Sequence, residues 1–279
     1  MASLTGSVAV VTGASRGVGR GVAIGLGEAG ATVYVTGRSA SPADGPDHLG
    51  GTVFQTADAV TAAGGVGVPV VCDHSNDTDT SRLFARVKRE HHRLDILVNN
   101  AWGGYRDMVE KGEFTWPYPL WRQPLWRWEA MFDNGVRTSF AASRLGVPLM
   151  LPGKRGLIVN ISFWAGQKYH GNALYGVAKA ATDRLSADMA HELREHGIAS
   201  VSLYPGLVRT EAVMANAKFF DFSNSESPQF IGRVIAALAA DPRVMEKSGK
   251  TLVAAALALD YGVTDVDGKQ PRPLTIDEF

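Results

Sequence analysis

The feature that most constrains this chain is an alternation. Short apolar, β-branched runs, each closed by glycine or a polar turn, alternate with stretches whose apolar residues recur at helical spacing. "SVAVVTG" (Ser7–Gly13) reads as a buried strand, and Arg20 to Ala29 as a helix that stops at Gly30. "ATVYVTG" (Ala31–Gly37), "VPVVCD" (Val68–Asp73), "LDILVNNA" (Leu94–Ala101), "RGLIVNIS" (Arg155–Ser162) and "IASVSLYPG" (Ile198–Gly206) read as further strands, and Thr251–Ala255 can close the sheet. Helices are predicted over Val53–Ala62, from Asp77 or Thr78 to about His91, over Leu174–Glu195 and over Gln229–Ala239. Strands that are apolar on both faces and separated by helices predict a mainly parallel sheet covered on both sides. No linker, repeat or break in composition interrupts the pattern, so residues 1–279 are expected to form a single doubly wound α/β domain.

Composition limits what such a sheet serves. With 45% hydrophobic and 20% charged residues, the chain has the balance of a compact soluble protein, not a disordered one. Lys plus Arg equals Asp plus Glu, 28 each, so no nucleic-acid or polyanion surface is expected. The single cysteine, Cys72, excludes an internal disulfide framework and a cysteine-based zinc cluster, and no metal is expected. The apolar run Val8–Val11 is too short for the core of a secretory signal. "LVAAALAL" from Leu252 falls well below the roughly 20 residues that span a bilayer. These features predict a cytoplasmic protein without an integral membrane segment, acting on a small molecule.

"VVTGASRGVGRG" sets Gly13, Gly17 and Gly19, with Ser15, Arg16 and Val18 between and beside them, at the junction of the first strand and first helix. Glycines allow a tight turn and close backbone approach, and the helix N-terminus offers free N–H groups to a pyrophosphate. The spacing is G-x3-G-x-G, and a glycine-rich turn made only for packing is the alternative. The second strand ends in "TGRS", with no acid from Thr36 to Pro42 to bind a ribose 2′-hydroxyl. Arg38 and Arg16 would suit a 2′-phosphate, so NADP(H) is expected in preference to NAD(H). The alternative is that one or both guanidinium groups simply face water.

In "ISFWAGQKYHGNALYGVAKAA" (Ile161–Ala181), Tyr175 and Lys179 stand four apart on a predicted helix and share a face. Ser162 ends a predicted parallel strand, the end at which open α/β sheets bind ligands. A phenol with pKa near ~10 is a poor catalyst at neutral pH. A neighbouring ammonium and a cationic nicotinamide would depress it by ~2 to 3 units, about 3 to 4 kcal/mol. Tyr175 could then give a proton to a carbonyl oxygen as hydride reaches carbon, while the Ser162 hydroxyl holds that oxygen and Lys179 holds the nicotinamide ribose. A chance surface Y-x3-K pair is the alternative.

Together, "TGASRGVG", "NNA" (Asn99–Ala101), Ser162, "YGVAK" and "YPGLVRT" (Tyr204–Thr210) resemble the short-chain dehydrogenase/reductase family over residues 7 to about 210. "GATVYVTGR", "LDILVNNAW", "AHELREHGIASVSLYPGLVRTE" and "YGVTDVDGK" extend the match to one branch of it. The resemblance implies a Rossmann-like, seven-stranded sheet of order 3-2-1-4-5-6-7 and NAD(P)(H)-dependent chemistry at CH–OH and C=O groups. It places Asp73 near the adenine, Asn100 and Ala101 along the adenosine ribose, and Pro205, Gly206, Val208 and Thr210 in the loop beside the nicotinamide. It also implies a homo-oligomer, dimer or tetramer. Many members carry W-x6-N in the helix after strand four, the asparagine holding a water that links the lysine to solvent. Counting from Trp128, Gly135 falls on that position and Asn134 one residue early, so either the helix is distorted or the proton route differs. A fold-retaining NADP(H) sensor without turnover is the rival function.

"WGGYRDMVEKGEFTWPYPLWRQPLWRW" (Trp102–Trp128) carries five of the six tryptophans. This aromatic-rich insert, 102–127, follows strand four and is expected beside the reactive ring, walling a pocket with Trp102, Trp164 and Tyr169 for a bulky apolar ketone or alcohol, steroid-like or a lipid ketone. An oligomer contact or a self-packed loop is the alternative. A substrate-side loop, 207–228, includes "AVMANAKFFDF", a second lid or a weak membrane contact.

Overall fold

A computed structural model of the chain describes residues 3–44 and 49–278. Seven strands form one parallel sheet: β1 (Val8–Val11), β2 (Thr32–Gly37), β3 (Val66–Val71), β4 (Ile96–Asn99), β5 (Gly156–Ile161), β6 (Ile198–Tyr204) and β7 (Thr251–Val253). Their spatial order is β7-β6-β5-β4-β1-β2-β3, the expected order read from the opposite edge. Val10 lies opposite Tyr34 on one side and Leu97 on the other, so β1 is the central strand of the N-terminal half. β1, β4 and β6 are buried along their whole length, which is why they read as unbroken apolar runs.

Helices cover both faces. α1 (Gly17–Glu28), α2 (Val53–Ala62), α8 (Pro228–Ala240) and α9 (Ala254–Tyr261) pack on one, through Val22, Val60, Phe230 and Leu257. α3 (Asp77–His91), α5 (Arg137–Met150) and α6 (Ala173–Leu193) pack on the other, through Phe84, Met150 and Leu193. Between α1 and α8 the backbones nearly touch: a Cβ on Gly21 would lie 2.0 Å from the Pro228 carbonyl carbon, and one on Gly25 2.5 Å from that of Gly232.

Caps set the helix starts. α3 is capped by Asn76, whose side chain accepts the Thr78 N–H at 2.9 Å, one or two residues before the expected Asp77 or Thr78. α6 is capped by Asn172, which accepts the Tyr175 N–H at 2.9 Å. α1 begins at Gly17, three residues earlier than periodicity suggests, because the glycine loop makes its first turn. The apolar run from Leu252 divides between β7 and α9, and among the described residues no helix is long and apolar enough to cross a membrane.

The insert is folded, not irregular. Val109–Glu110 pairs antiparallel with Glu113–Phe114, and the short helix α4 (Trp126–Met131) follows. The fully buried Arg127 guanidinium donates to the Thr115 carbonyl at 3.0 Å and hydroxyl at 2.8 Å, and sits 5.0 Å from the centre of the Trp126 ring. The self-packed alternative therefore holds for this part of the insert.

Candidate active site

The glycine loop is shaped by what lies against it. Gly13 and Gly17 adopt left-handed φ values of 65° and 56°. A Cβ on Gly13 would lie 2.9 Å from Ala101 Cα, and one on Gly19 would lie 2.3 Å from the Gly13 carbonyl oxygen and 2.4 Å from Asn100 Nδ2. Asn100 Nδ2 donates to the carbonyls of Thr12 (3.0 Å) and Gly13 (2.9 Å), while the Thr12 hydroxyl accepts the N–H groups of Asn100 and Ala101. Asn100 and Ala101 thus lock the ends of β1 and β4 together. Ser15 is buried and Val18 packs on the core.

The loop also holds an anion. Gly17 N–H, at the start of α1, donates to Glu211 Oε2 at 2.8 Å. A carboxylate on that N–H group is a stand-in for an anionic oxygen, so the residues present fit a pyrophosphate. Arg16 is drawn over the loop: its Nε donates to the Gly50 carbonyl at 2.7 Å, and its Nη2 to the Ser39 hydroxyl at 2.9 Å and the Gly51 carbonyl at 3.0 Å. Arg38 is exposed. Burial pushes the Asp73 carboxyl up, but bonds from the Ser75 hydroxyl (2.7 Å) and N–H (3.0 Å), with the Arg38 charge, more than offset it and leave its pKa lowered.

After β6, Pro205 is buried and the Gly206 N–H donates to Glu226 Oε2 at 2.8 Å. Burial pushes the Glu226 carboxyl up to about 7, with the Gly206 bond opposing and the Asp265 charge adding. Val208 is buried and pairs with Glu226 in a short parallel ladder. Thr210 caps the short helix α7 (Glu211–Ala215), accepting the Val213 N–H at 3.3 Å.

Tyr175 and Lys179 are both buried on one stripe of α6. Lys179 Nζ lies 5.8 Å from the centre of the Tyr175 ring and 4.0 Å from that of Trp102, and donates to the Ile161 carbonyl at 3.4 Å. Burial lowers its pKa to about 8, with Asp183 opposing. Tyr175 is only 2% exposed, and its hydroxyl is 2.7 Å from that of Tyr105. Burial pushes the Tyr175 phenol well above its ordinary value. Desolvation is the largest influence on this phenol, whereas the expected depression also counts the charge of a bound nicotinamide.

The expected place of Ser162 is corrected. Its hydroxyl donates to the Lys179 carbonyl at 3.4 Å and neighbours Asp183 and Tyr204, further along α6 from the Tyr175 hydroxyl. Successive residues of extended chain face opposite ways, and the ring on the Tyr175 side is that of Phe163, 6.1 Å between centres. Of the three expected pocket residues, only Trp102 meets Tyr175, at 6.0 Å. Trp164 is turned inward onto Tyr204, and Tyr169 is 72% exposed. Trp116 (5.2 Å) and Tyr105 (5.9 Å) complete the ring of aromatics round Tyr175. Neither stood out in the sequence, because the insert has no periodicity to aim its side chains.

The helix after the insert is distorted, as one of the two expectations required. Phe132–Val136 is a π turn with Asn134 at non-helical φ −98°, ψ 19°, and the Asn134 carbonyl accepts the Gly103 N–H at 2.9 Å. A Cβ on Gly135 would lie 2.6 Å from the Trp102 ring, so glycine here makes the seat for that indole, whose buried Nε1 has no hydrogen-bond partner among the described residues.

Residues 7–219 match the short chain dehydrogenase family. The chain is 44% identical to dehydrogenase/reductase SDR family member 1 of Mus musculus over 96% of its own length and 86% of that protein, the branch to which the quoted stretches point. A short-chain dehydrogenase from Mycobacterium thermoresistibile superposes with TM-score 0.79 and 26% identity, covering 98% of this chain and 94% of that one. A 7α-hydroxysteroid dehydrogenase solved with NADH and 7-oxo glycochenodeoxycholic acid superposes with TM-score 0.74 and 26% identity, covering 96% of each chain.

Proposed function

The chain belongs to the short-chain dehydrogenase family, whose members are oxidoreductases acting at hydroxyl and carbonyl groups, and from this we propose that it is an NADPH-dependent carbonyl reductase, reversible as an alcohol dehydrogenase, for a bulky apolar ketone or secondary alcohol. The observation that carries the reading is the buried Tyr175–Lys179 pair on α6, in the same site as a glycine loop that already holds an anionic oxygen. When bound, the dinucleotide supplies the hydride. Gly17 N–H and the start of α1 would hold its pyrophosphate in exchange for Glu211, and Arg38 with Arg16 would favour a 2′-phosphate. Tyr175 gives its phenolic proton to the carbonyl oxygen; its raised pKa keeps that proton in place across the neutral range, which suits reduction. Lys179, one turn along α6, would hold the nicotinamide ribose. Ser162 braces β5 against α6. Apolar substrate is supported by the rings of Trp102, Trp116 and Phe163 round Tyr175, and by the bile-acid ligand of the structural neighbour.

NADPH oxidation against a ketone panel tests this. Turnover is expected to favour bulky apolar ketones and to fall at least about 100-fold in Tyr175→Phe. Turnover that survives this substitution, or favours small polar ketones, overturns the reading. The rival, an NADP(H)-binding sensor, is supported by the covered state of Tyr175 and expects cofactor binding with no turnover on any ketone.

A further inference from the structure

We propose that Tyr105 is a positioning residue of the reaction centre: its hydroxyl holds the Tyr175 oxygen and stabilises the phenolate left when Tyr175 gives up its proton. The inference rests on Tyr175 as the proton donor of the proposed function.

A phenol that gives up a proton in a buried site leaves a charge that needs a hydrogen-bond donor. Two of the nearby polar groups are engaged elsewhere. The Ser162 hydroxyl is on the Lys179 carbonyl, and Lys179 Nζ donates to the Ile161 carbonyl. The hydroxyl that meets the Tyr175 oxygen belongs to Tyr105, at 2.7 Å. Its ring is held by Trp102 (6.0 Å between centres) and Trp116 (5.8 Å), the same two rings that flank Tyr175. The backbone that carries it is fixed as well: a Cβ on Gly104 would lie 2.5 Å from the Trp102 ring. Tyr105 is 51% exposed while its hydroxyl points inward, so the pair joins the surface to the buried phenol. The other titratable groups facing Tyr175 are Lys179 and, beyond it, Asp183 on α6, and Tyr204 on β6. The hydrogen bonds of these groups run to other partners: Lys179 to Ile161, and Tyr204 to Asp183. In the step itself the Tyr175 proton goes to the substrate oxygen, the Tyr105 O–H turns its hydrogen toward the Tyr175 anion, and solvent later returns one proton to the pair.

The test is Tyr105→Phe, which keeps the ring packing and removes only the hydroxyl. Alcohol oxidation with NADP⁺ needs the Tyr175 phenolate, so its rate rises with pH along a limb set by that group. Losing a donor to the anion is expected to move this limb up by about one to two pH units and to cut neutral-pH turnover about 10- to 100-fold, with the NADP⁺ KM unchanged. Ultraviolet titration of phenolate, with Tyr175→Phe identifying the Tyr175 step, reads the same displacement without any substrate. An unmoved limb and an unmoved phenolate step overturn the inference, whatever happens to substrate KM. Turnover retained in Tyr175→Phe would instead sink the proposed function, so the two failures are distinct.

Discussion

Glu226 is a carboxyl that the fold keeps from water, and its charge is what the site resists. In the unfolded chain it titrates near its ordinary 4.5; in the folded chain burial raises that to about 7. Between those values the native state binds more protons than the unfolded one, so stability from this group is full below the lower value and is lost as pH rises through the upper one. Glu226→Gln keeps a carbonyl oxygen for the Gly206 N–H and removes the charge. Its melting temperature relative to the parent is expected to rise by several degrees between about pH 5 and pH 8, since 1 kcal/mol moves a chain of this size by roughly 2 to 4 °C. A constant difference across that range would show that the carboxyl is not strained by burial. At this scale the sequence was partly legible. Tyr175 and Lys179 follow from one turn of helix, because helical periodicity fixes direction. The outward turn of Phe163 and inward turn of Ser162 do not, because at a strand end a shift of one residue exchanges the faces. Gly135 was visible as a departure, but its reason, the Trp102 indole lying where a Cβ would sit, comes from a residue 33 positions earlier.

At the scale of elements, α7 joins the loop after β6 to the glycine loop. It begins at the cap Thr210, and its first residue, Glu211, lays a carboxylate on the first N–H of α1. On the proposed reading, an incoming pyrophosphate would compete with that carboxylate for one amide, and α7 would have to give way as the dinucleotide enters. Glu211→Ala is therefore expected to bind NADPH about threefold to tenfold more tightly, the worth of one net hydrogen bond, as measured by quenching of protein fluorescence. Weaker binding would mean instead that Glu211 orders the loop for the cofactor. The glycine loop's place between β1 and α1 was legible because its glycines permit the tight turn there. Its partner was not, since a five-residue helix carries no periodic signal and the contact spans most of the chain. Expectation and structure also part at the insert: aromatic content marked it as the pocket wall, while the buried Arg127 gives it a small core of its own.

For the whole molecule, a parallel, doubly covered sheet was legible from the alternation of strands and helices, while its strand order followed only from the family resemblance. How closely the layers meet was not. α1 and α8 touch through Gly21, Gly25 and Gly232 with no room for a methyl group between them. Gly25→Val is expected to cost about 3 kcal/mol or more, seen as loss of soluble protein or an earlier urea midpoint, because overpacking at a backbone contact cannot be relieved by a rotamer change. Gly153→Ala, at a position where an added methyl group would meet nothing within 4 Å, is the matched control and is expected to be neutral. Equal midpoints for the two variants would show that the layers can part at little cost.

The Tyr175 phenol lies beneath a roof of indole and phenyl rings, and lifting that roof takes work. A ligand has to supply it from parts of itself that take no share in the reaction. Lengthening the hydrocarbon skeleton of a ketone should therefore speed its conversion long after the skeleton has ceased to touch the carbonyl, and the shortest ketones, with nothing to lend, should be left outside.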